Sequence, residues 1–362
     1  MREKIAFILA LMMCVSLLSG CGSGGSGERP TLWPDAVETS PAETAPATEP
    51  LGTETPEPVP SEEPDGVFTY AYENGVLTIS GSGDLDQTAM KECGAVTDVI
   101  KVVAEVQVVL KEGVTKIGDK VFMNCDSITS VTIPESVTEI GQETFSYCYG
   151  LTKVTIPESV REIGEYAFYD CSSVTSVTIP EGLTKIEEYT FDSCSSLTSV
   201  TIPESVTEIG AHAFSWCGGL TNVTIPNSVT EIGAEAFAYC SGLTSVSIPE
   251  SVTKIEMSVF ENCGSLTSVT IPKSVTEIGA RAFSWCYGLT SVTIPESVTE
   301  IGEGAFIFCD SLTSVTIPDS VTKIGSKAFA ECYALTSVTI PNPSTIIAAD
   351  AFDERVAIEW AD

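Results

Sequence analysis

Basic residues, histidine and closely paired cysteines are what this sequence has least of, and each shortage weighs against a class of function. Seventeen lysines and arginines face fifty aspartates and glutamates, a formal net charge of −33. With no basic face to neutralise phosphates, nucleic acid is not expected as a partner, nor is a polybasic contact with a membrane. So much acid serves solubility first, and cationic partners or divalent ions fit it second. His212 is the only histidine, so a Ser/His/Asp relay has one available base, at a variable position beside Phe214 where a surface residue is the simpler reading. Thirteen cysteines are present, but no C-x-x-C occurs, and metal sites need close pairs. The stretch ISGSG at 79–83 lacks the lysine and the strand-to-helix setting of a phosphate-binding loop. Carboxylates could formally supply a glycosidase-like pair, yet they recur as repeat columns, as a solvated face does. The expectation is a non-catalytic chain without cofactor or metal.

The first twenty residues stand apart from the rest. Arg2 and Lys4 precede an apolar run from Ile5 to Leu18, too short for a membrane span and laid out like a secretory signal. Its junction, Leu18-Ser19-Gly20-Cys21, resembles the bacterial lipobox. That resemblance implies a diacylglyceryl thioether on Cys21, and two acyl chains suffice for stable attachment. The expected location is the extracytoplasmic face of a bacterial membrane, surface-exposed and held by the lipid alone. Residues 21–65 follow as the lipidated cysteine and a Pro/Thr/Glu/Ala-rich linker in which Arg29 is the only base. Such a composition cannot offset its ordering entropy, so a disordered stalk is expected, with an end-to-end distance of roughly 35–40 Å as a flexible coil.

From there one period governs the chain. Cys125, Cys148, Cys171, Cys194, Cys217, Cys240, Cys263, Cys286, Cys309 and Cys332 recur every 23 residues, and Phe122 through Phe352 and Pro134 through Pro341 keep the same step. In the unit Leu289 to Ser311, Leu289, Val292 and Ile294 alternate within β-branched strand chemistry, which Pro295 ends. Val298 and Ile301 turn inward again, Gly302 allows a bend, and Ala305, Phe306, Cys309 and Leu312 carry helical or 3₁₀ spacing. A unit this small buries its apolar side only by stacking on its neighbours. At about 4.8 Å per rung, ten rungs give a sheet roughly 45–50 Å long.

The pattern L-x-x-V-x-I-P-x-x-V-x-x-I-G-x-x-A-F-x-x-C resembles the BspA-type leucine-rich repeats of bacterial surface proteins. The resemblance implies an α/β leucine-rich-repeat solenoid with a parallel sheet on one face and short helical or 3₁₀ turns opposite. It also implies a role in surface binding or adhesion. The expected layout is a β cap over 66–103, repeats over 104–345 and a C-terminal cap over 346–362. Within the first cap, two strand-like runs flank Glu73-Asn74-Gly75, a hairpin signal. The cysteine column stacks thiols in register with parallel Cβ vectors, poor geometry for disulfides, so reduced structural thiols are expected. Cys93 has no assigned partner.

Two faces are candidates for a protein or glycan ligand. The strand face offers two hydroxyl columns, including Ser130, Thr132, Ser199, Thr201, Ser268, Thr270, Ser291 and Thr293, and is the first choice by family analogy. The residue before each cysteine varies and includes Tyr147, Trp216, Tyr239, Trp285 and Phe308, where exposed rings could stack on sugars or anchor a protein. A second period tempers that inference. FSYC (145–148), FSWC (214–217) and FSWC (283–286) are 69 residues apart, as are Lys116, Lys185, Lys254 and Lys323, so blocks of three repeats were duplicated. The rival to a binding scaffold is a structural envelope spacer with no specific soluble ligand.

Overall fold

The computed structural model describes residues 66–93, 99–100 and 103–360. The expected signal, Cys21 and the linker lie outside the described residues.

The described chain is a parallel β-solenoid capped by a hairpin. Strands β1 (Thr69–Glu73) and β2 (Val76–Ser80) pair antiparallel, with Glu73 opposite Val76. The two linking residues, Asn74 and Gly75, both have positive φ (51° and 84°), the requirement of a type I′ turn. Strand β3 (Gly83–Leu85) and a short helix α1 (Gln87–Cys93) follow. Asp86 caps that helix, its carboxylate accepting the Ala89 N–H at 2.8 Å. Then β2 pairs in parallel with β4 (Val106–Leu110), and β3 with β5 (Val114–Ile117), so the hairpin starts one ladder of the solenoid and β3 the other.

Each later turn gives a three- to five-residue strand to the first ladder and a two-residue strand to the second, in register at 23 residues: Ser176 with Ser199, Glu208 with Glu231. The phenylalanine column fills the interior. Phe122 through Phe329 are fully buried and stack face to face, with centroids 5.1–5.8 Å apart, ending on Phe352. All ten column cysteines are free thiols. From Cys148 to Cys332 each Sγ–H donates to the phenylalanine carbonyl one rung back at 3.0–3.3 Å. Burial pushes the thiols up, Cys240, Cys286 and Cys332 to about 12, which suppresses the reactive thiolate.

The return segments, expected as short helical or 3₁₀ turns, have the i→i−3 bonding of the second without forming a continuous helix. They are runs of turns closed by i→i−3 bonds, such as Ser215 N–H to His212 C=O and Cys217 N–H to Phe214 C=O. Two residues per repeat are left-handed, for example His212 (φ 57°) and Trp216 (φ 59°), and helix cannot propagate through them. The reversal turns alternate amides along the solenoid: His212, Phe214 and Trp216 N–H donate forward to Ala234, Ala236 and Ala238 C=O. On the strand side the direction is opposite, with Thr207 N–H donating back to Thr184 C=O. At the far end the Asp353 carboxylate accepts the Glu331 N–H at 3.1 Å, where a further rung would have offered a carbonyl.

The 69-residue period has a structural consequence. In most rungs a glycine of the second ladder donates to the preceding rung, as Gly302 does to Ile278 at 2.8 Å. A Cβ on Gly302 would lie 2.6 Å from the Ala280 nitrogen. Glu187 and Glu256 occupy this position, and the ladder opens at both, dividing into stretches of four, three and five strands. The lysines of the same blocks pair with glutamates one rung away: Lys116 with Glu139, Lys185 with Glu208, Lys254 with Glu277, Lys323 with Glu300. They interrupt what would otherwise be a column of like charge.

Candidate functional site

The two candidate faces are built differently. On the strand face Thr132, Ser199, Thr201, Ser268, Thr270, Ser291 and Thr293 are exposed, and Ser130 is half-buried. Alternation in the strand directs the intervening valine inward and these side chains outward. No hydrogen bond within the described residues uses their hydroxyls. The neighbouring threonine column behaves otherwise: Thr198 Oγ1 donates to Thr175 C=O at 3.0 Å, and Thr313 Oγ1 to Thr290 C=O at 3.1 Å. The strand face is therefore a flat array of solvated hydroxyls, alike in most rungs, with the exposed Lys153 and Asn222 among the departures from serine.

On the turn face the residue before each cysteine is left-handed in every repeat, from Asn124 (φ 59°) through Phe308 (φ 60°) to Glu331 (φ 58°). That conformation favours asparagine or glycine, so Asn124 and Asn262 are what the backbone alone would select. Tyr147, Trp216, Tyr239, Trp285 and Phe308 are not. The structure brings four of them into two pairs. Trp216 stacks on Tyr239 with centroids 4.0 Å apart and planes 3° apart, and Trp285 on Phe308 at 3.9 Å and 21°. Trp216 is 54% exposed, while Tyr239, Trp285 and Phe308 are half-buried. Tyr147 belongs to another group, edge-on to Tyr149 and Tyr169.

That group extends into residues that the spacing of the pre-cysteine column does not mark. Tyr166, Tyr189 and His212 form a second left-handed column two residues before the phenylalanines, stacked at 4.5 and 4.4 Å. His212 Nδ1 lies 3.6 Å from Glu235 Oε2, so the single histidine is a half-buried member of a ring stack rather than a free surface residue. Three successive aromatic residues at a 23-residue step were the available signal. Tyr149 donates its hydroxyl to the Asp170 carboxylate at 3.3 Å.

Acids lie beneath these rings. Asp192 is 5% exposed and accepts the Ser193 hydroxyl at 2.6 Å. Burial pushes its carboxyl up to about 6, against the Ser193 hydrogen bond and the nearby His212. Burial also raises Glu261, 69 residues on, against the Ser258 hydroxyl and Arg281. The signal for both is an acid in a column otherwise holding small or apolar residues and one tyrosine: Met123, Ser146, Tyr169, Ser215, Ala238, Ser284, Ile307 and Ala330. Rings with carboxylates and amides at their bases can hold a ligand with an apolar face and a polar rim. Among the described residues, no group of three His, Cys, Asp or Glu is placed to hold a metal ion.

Comparisons with known proteins bear on the fold. No curated protein matches the chain. Among solved structures, a leucine-rich repeat protein from Bacteroides ovatus is 26% identical, covering 82% of this chain and 98% of its own, with a TM-score of 0.49. A leucine rich cell surface protein from Faecalibacterium prausnitzii is 29% identical, covering 84% and 96%, with a TM-score of 0.44. The pneumococcal vaccine antigen PcpA shares the fold at 16% identity, covering 82% and 94%, with a TM-score of 0.53. The model of the BspA type leucine rich repeat region matches residues 115–244 and 230–359, in six copies. With the fold, the 23-residue register and this match in agreement, the chain belongs to the BspA-type leucine-rich-repeat family.

Proposed function

We propose that this protein is a scaffold tethered by a lipid on Cys21 to the extracytoplasmic face of a bacterial membrane, binding a protein or glycan through its turn face. The observation that carries the reading is the pair of ring stacks, Trp216–Tyr239 and Trp285–Phe308, held outside the core at positions where the backbone favours asparagine or glycine. Aromatic side chains supply large contact area at low entropic cost, and half-exposed stacks give a rigid platform. The strand face, serine and threonine in most rungs, suits solubility better than recognition.

The test is a glycan array and a pull-down from neighbouring-cell and host-surface extracts, both with the full chain. Saturable binding lost on Trp216→Ala/Trp285→Ala supports the reading. Reproducible absence of saturable binding would instead favour an envelope spacer. The tether is tested separately: Cys21→Ser should abolish incorporation of labelled fatty acid and release the protein from the membrane fraction. Retention of label by that variant would exclude Cys21 as the anchor.

A further inference from the structure

One boundary between rungs is built unlike the rest. The first ladder opens between Lys153–Thr155 and Ser176–Thr178, and the second between Glu162–Ile163 and Lys185–Ile186, so both open between the same two rungs. At no other boundary among the described residues do both open together. The bonds that flank the ladders are missing there too. One rung on, Thr207 N–H donates to Thr184 C=O and Gly210 N–H to Ile186 C=O, each at 2.8 Å. The N–H groups of Thr184 and Glu187 reach no carbonyl of the rung before them. Side chains follow the same rule. Ser159, Ser205, Ser274 and Ser297 donate their hydroxyls to the preceding rung at 2.6–2.7 Å, but Gly182 fills that position here. Arg161 takes the space of the missing serine, and a Cβ on Gly182 would lie 2.1 Å from its Nη1. That nitrogen donates within its own rung, to Glu158 C=O and to Val160 C=O, the acceptor that a serine at 182 would have used. Among the described residues one strand-side hydrogen bond still crosses, from Glu181 N–H to the Glu158 carboxylate at 3.0 Å.

On the turn side the same two rungs stay joined. Tyr166, Phe168 and Asp170 N–H donate to Glu188, Thr190 and Asp192 C=O at 2.8–3.1 Å, and Tyr166 stacks on Tyr189 and Phe168 on Phe191. The backbone thus holds these rungs on one side only. We propose that this boundary is a hinge at which the strand side parts about the turn side, so that the rungs before residue 174 and those after it open as separate cooperative units. In a stack where each rung touches only its neighbours, cooperativity passes through every boundary in series and breaks at the weakest. Fraying cannot account for the position, because the boundary lies inside the array. Three departures from the repeat meet there: Arg161, Gly182 and Glu187. Glu256 by itself makes no such break, since Asn222 still pairs with Ser245 and the Ser251 hydroxyl donates to Val229 C=O across its boundary. The unit before residue 174 has fewer rungs and opens first.

The cysteine column supplies the probe, one buried free thiol per rung. The full chain in mild denaturant is pulsed with iodoacetamide, and the labelling of each rung is read by mass spectrometry. Cys148 and Cys171 should label at one common rate, about tenfold or more above the rate shared by Cys194 and Cys217. Arg161→Thr/Gly182→Ser/Glu187→Gly restores the repeat residues and should bring the four rates within about threefold of one another. A smooth gradient with no step between Cys171 and Cys194 would overturn the hinge. So would a step that survives the triple substitution, or one that falls between Cys240 and Cys263 instead. Amide exchange on the unsubstituted chain gives a second reading. Thr184 and Glu187 should exchange fast while Tyr166, Phe168 and Asp170 stay protected; equal protection on the two sides of the boundary would contradict a one-sided opening.

Discussion

The strand face and the turn face of this solenoid are made from the same 23-residue repeat, yet they answer to different constraints. On the strand face the side chain is dictated by the ladder: valine inward, and serine or threonine outward in most rungs, with Lys153 and Asn222 among the departures. On the turn face two left-handed residues per repeat turn amides toward the next rung. Those amides need only the backbone, which leaves their side chains free to become Trp, Tyr, His, Asn or Glu. The difference teaches that regularity marks the part of the repeat that holds the fold. Variation marks the part able to acquire a function. The strain of the left-handed residues is spread over every rung and so marks no site by itself.

If the faces divide labour in this way, substitutions should separate into classes. The largest effect belongs to the core that both faces share. Phe260→Ala removes a ring stacked on two neighbours and should cost about 3–5 kcal/mol, seen as a lowered midpoint in chemical denaturation. An unchanged midpoint would mean that the phenylalanine spine is not what couples the rungs.

Next comes the buried acid under the turn face. The Asp192 carboxyl is raised to about 6 in the folded chain, so the native state holds its proton more tightly than the unfolded one. Its ionisation costs nothing below the unfolded value, near 3.8, and the penalty grows as pH rises toward 6. Asp192→Asn should therefore stabilise the protein at pH 7 by on the order of 2 kcal/mol and leave it little changed at pH 3.5. Equal effects of the substitution at both pH values would contradict this burial argument.

Smaller still is the effect of closing the second ladder. Glu256→Gly permits the missing bond to the Ile232 carbonyl, a gain of about 1 kcal/mol offset in part by the entropy of glycine. A thermal midpoint that stays unchanged or falls would mean that the opened ladder costs the fold no stability. At the bottom of the scale, Thr293→Lys on the strand face should shift stability by no more than about 0.5 kcal/mol.

Much of the architecture was legible in the sequence because a strict period makes every rung repeat the same statement. The cysteine, phenylalanine and proline columns fix the register, and Asn74-Gly75 announces its hairpin. The return segments were less legible. Ala305, Phe306 and Cys309 have helical spacing, but spacing does not reveal the left-handed residues that prevent a helix. The candidate site was legible only in part. The pairing of Trp216 with Tyr239 follows from their columns, whereas the Tyr166–Tyr189–His212 stack needs attention to a position that elsewhere holds Glu143, Glu235 and Arg281. The burial of Asp192 could not be read from composition, since acids are abundant on the solvated faces as well.

The account's central claim is that recognition belongs to the variable turn face. The most direct measurement compares binding isotherms of wild type, Trp216→Ala/Trp285→Ala and Thr293→Lys for a glycan or protein that the array or pull-down identifies. Loss confined to Trp216→Ala/Trp285→Ala is the predicted result. Loss confined to Thr293→Lys would place recognition on the strand face and contradict the account.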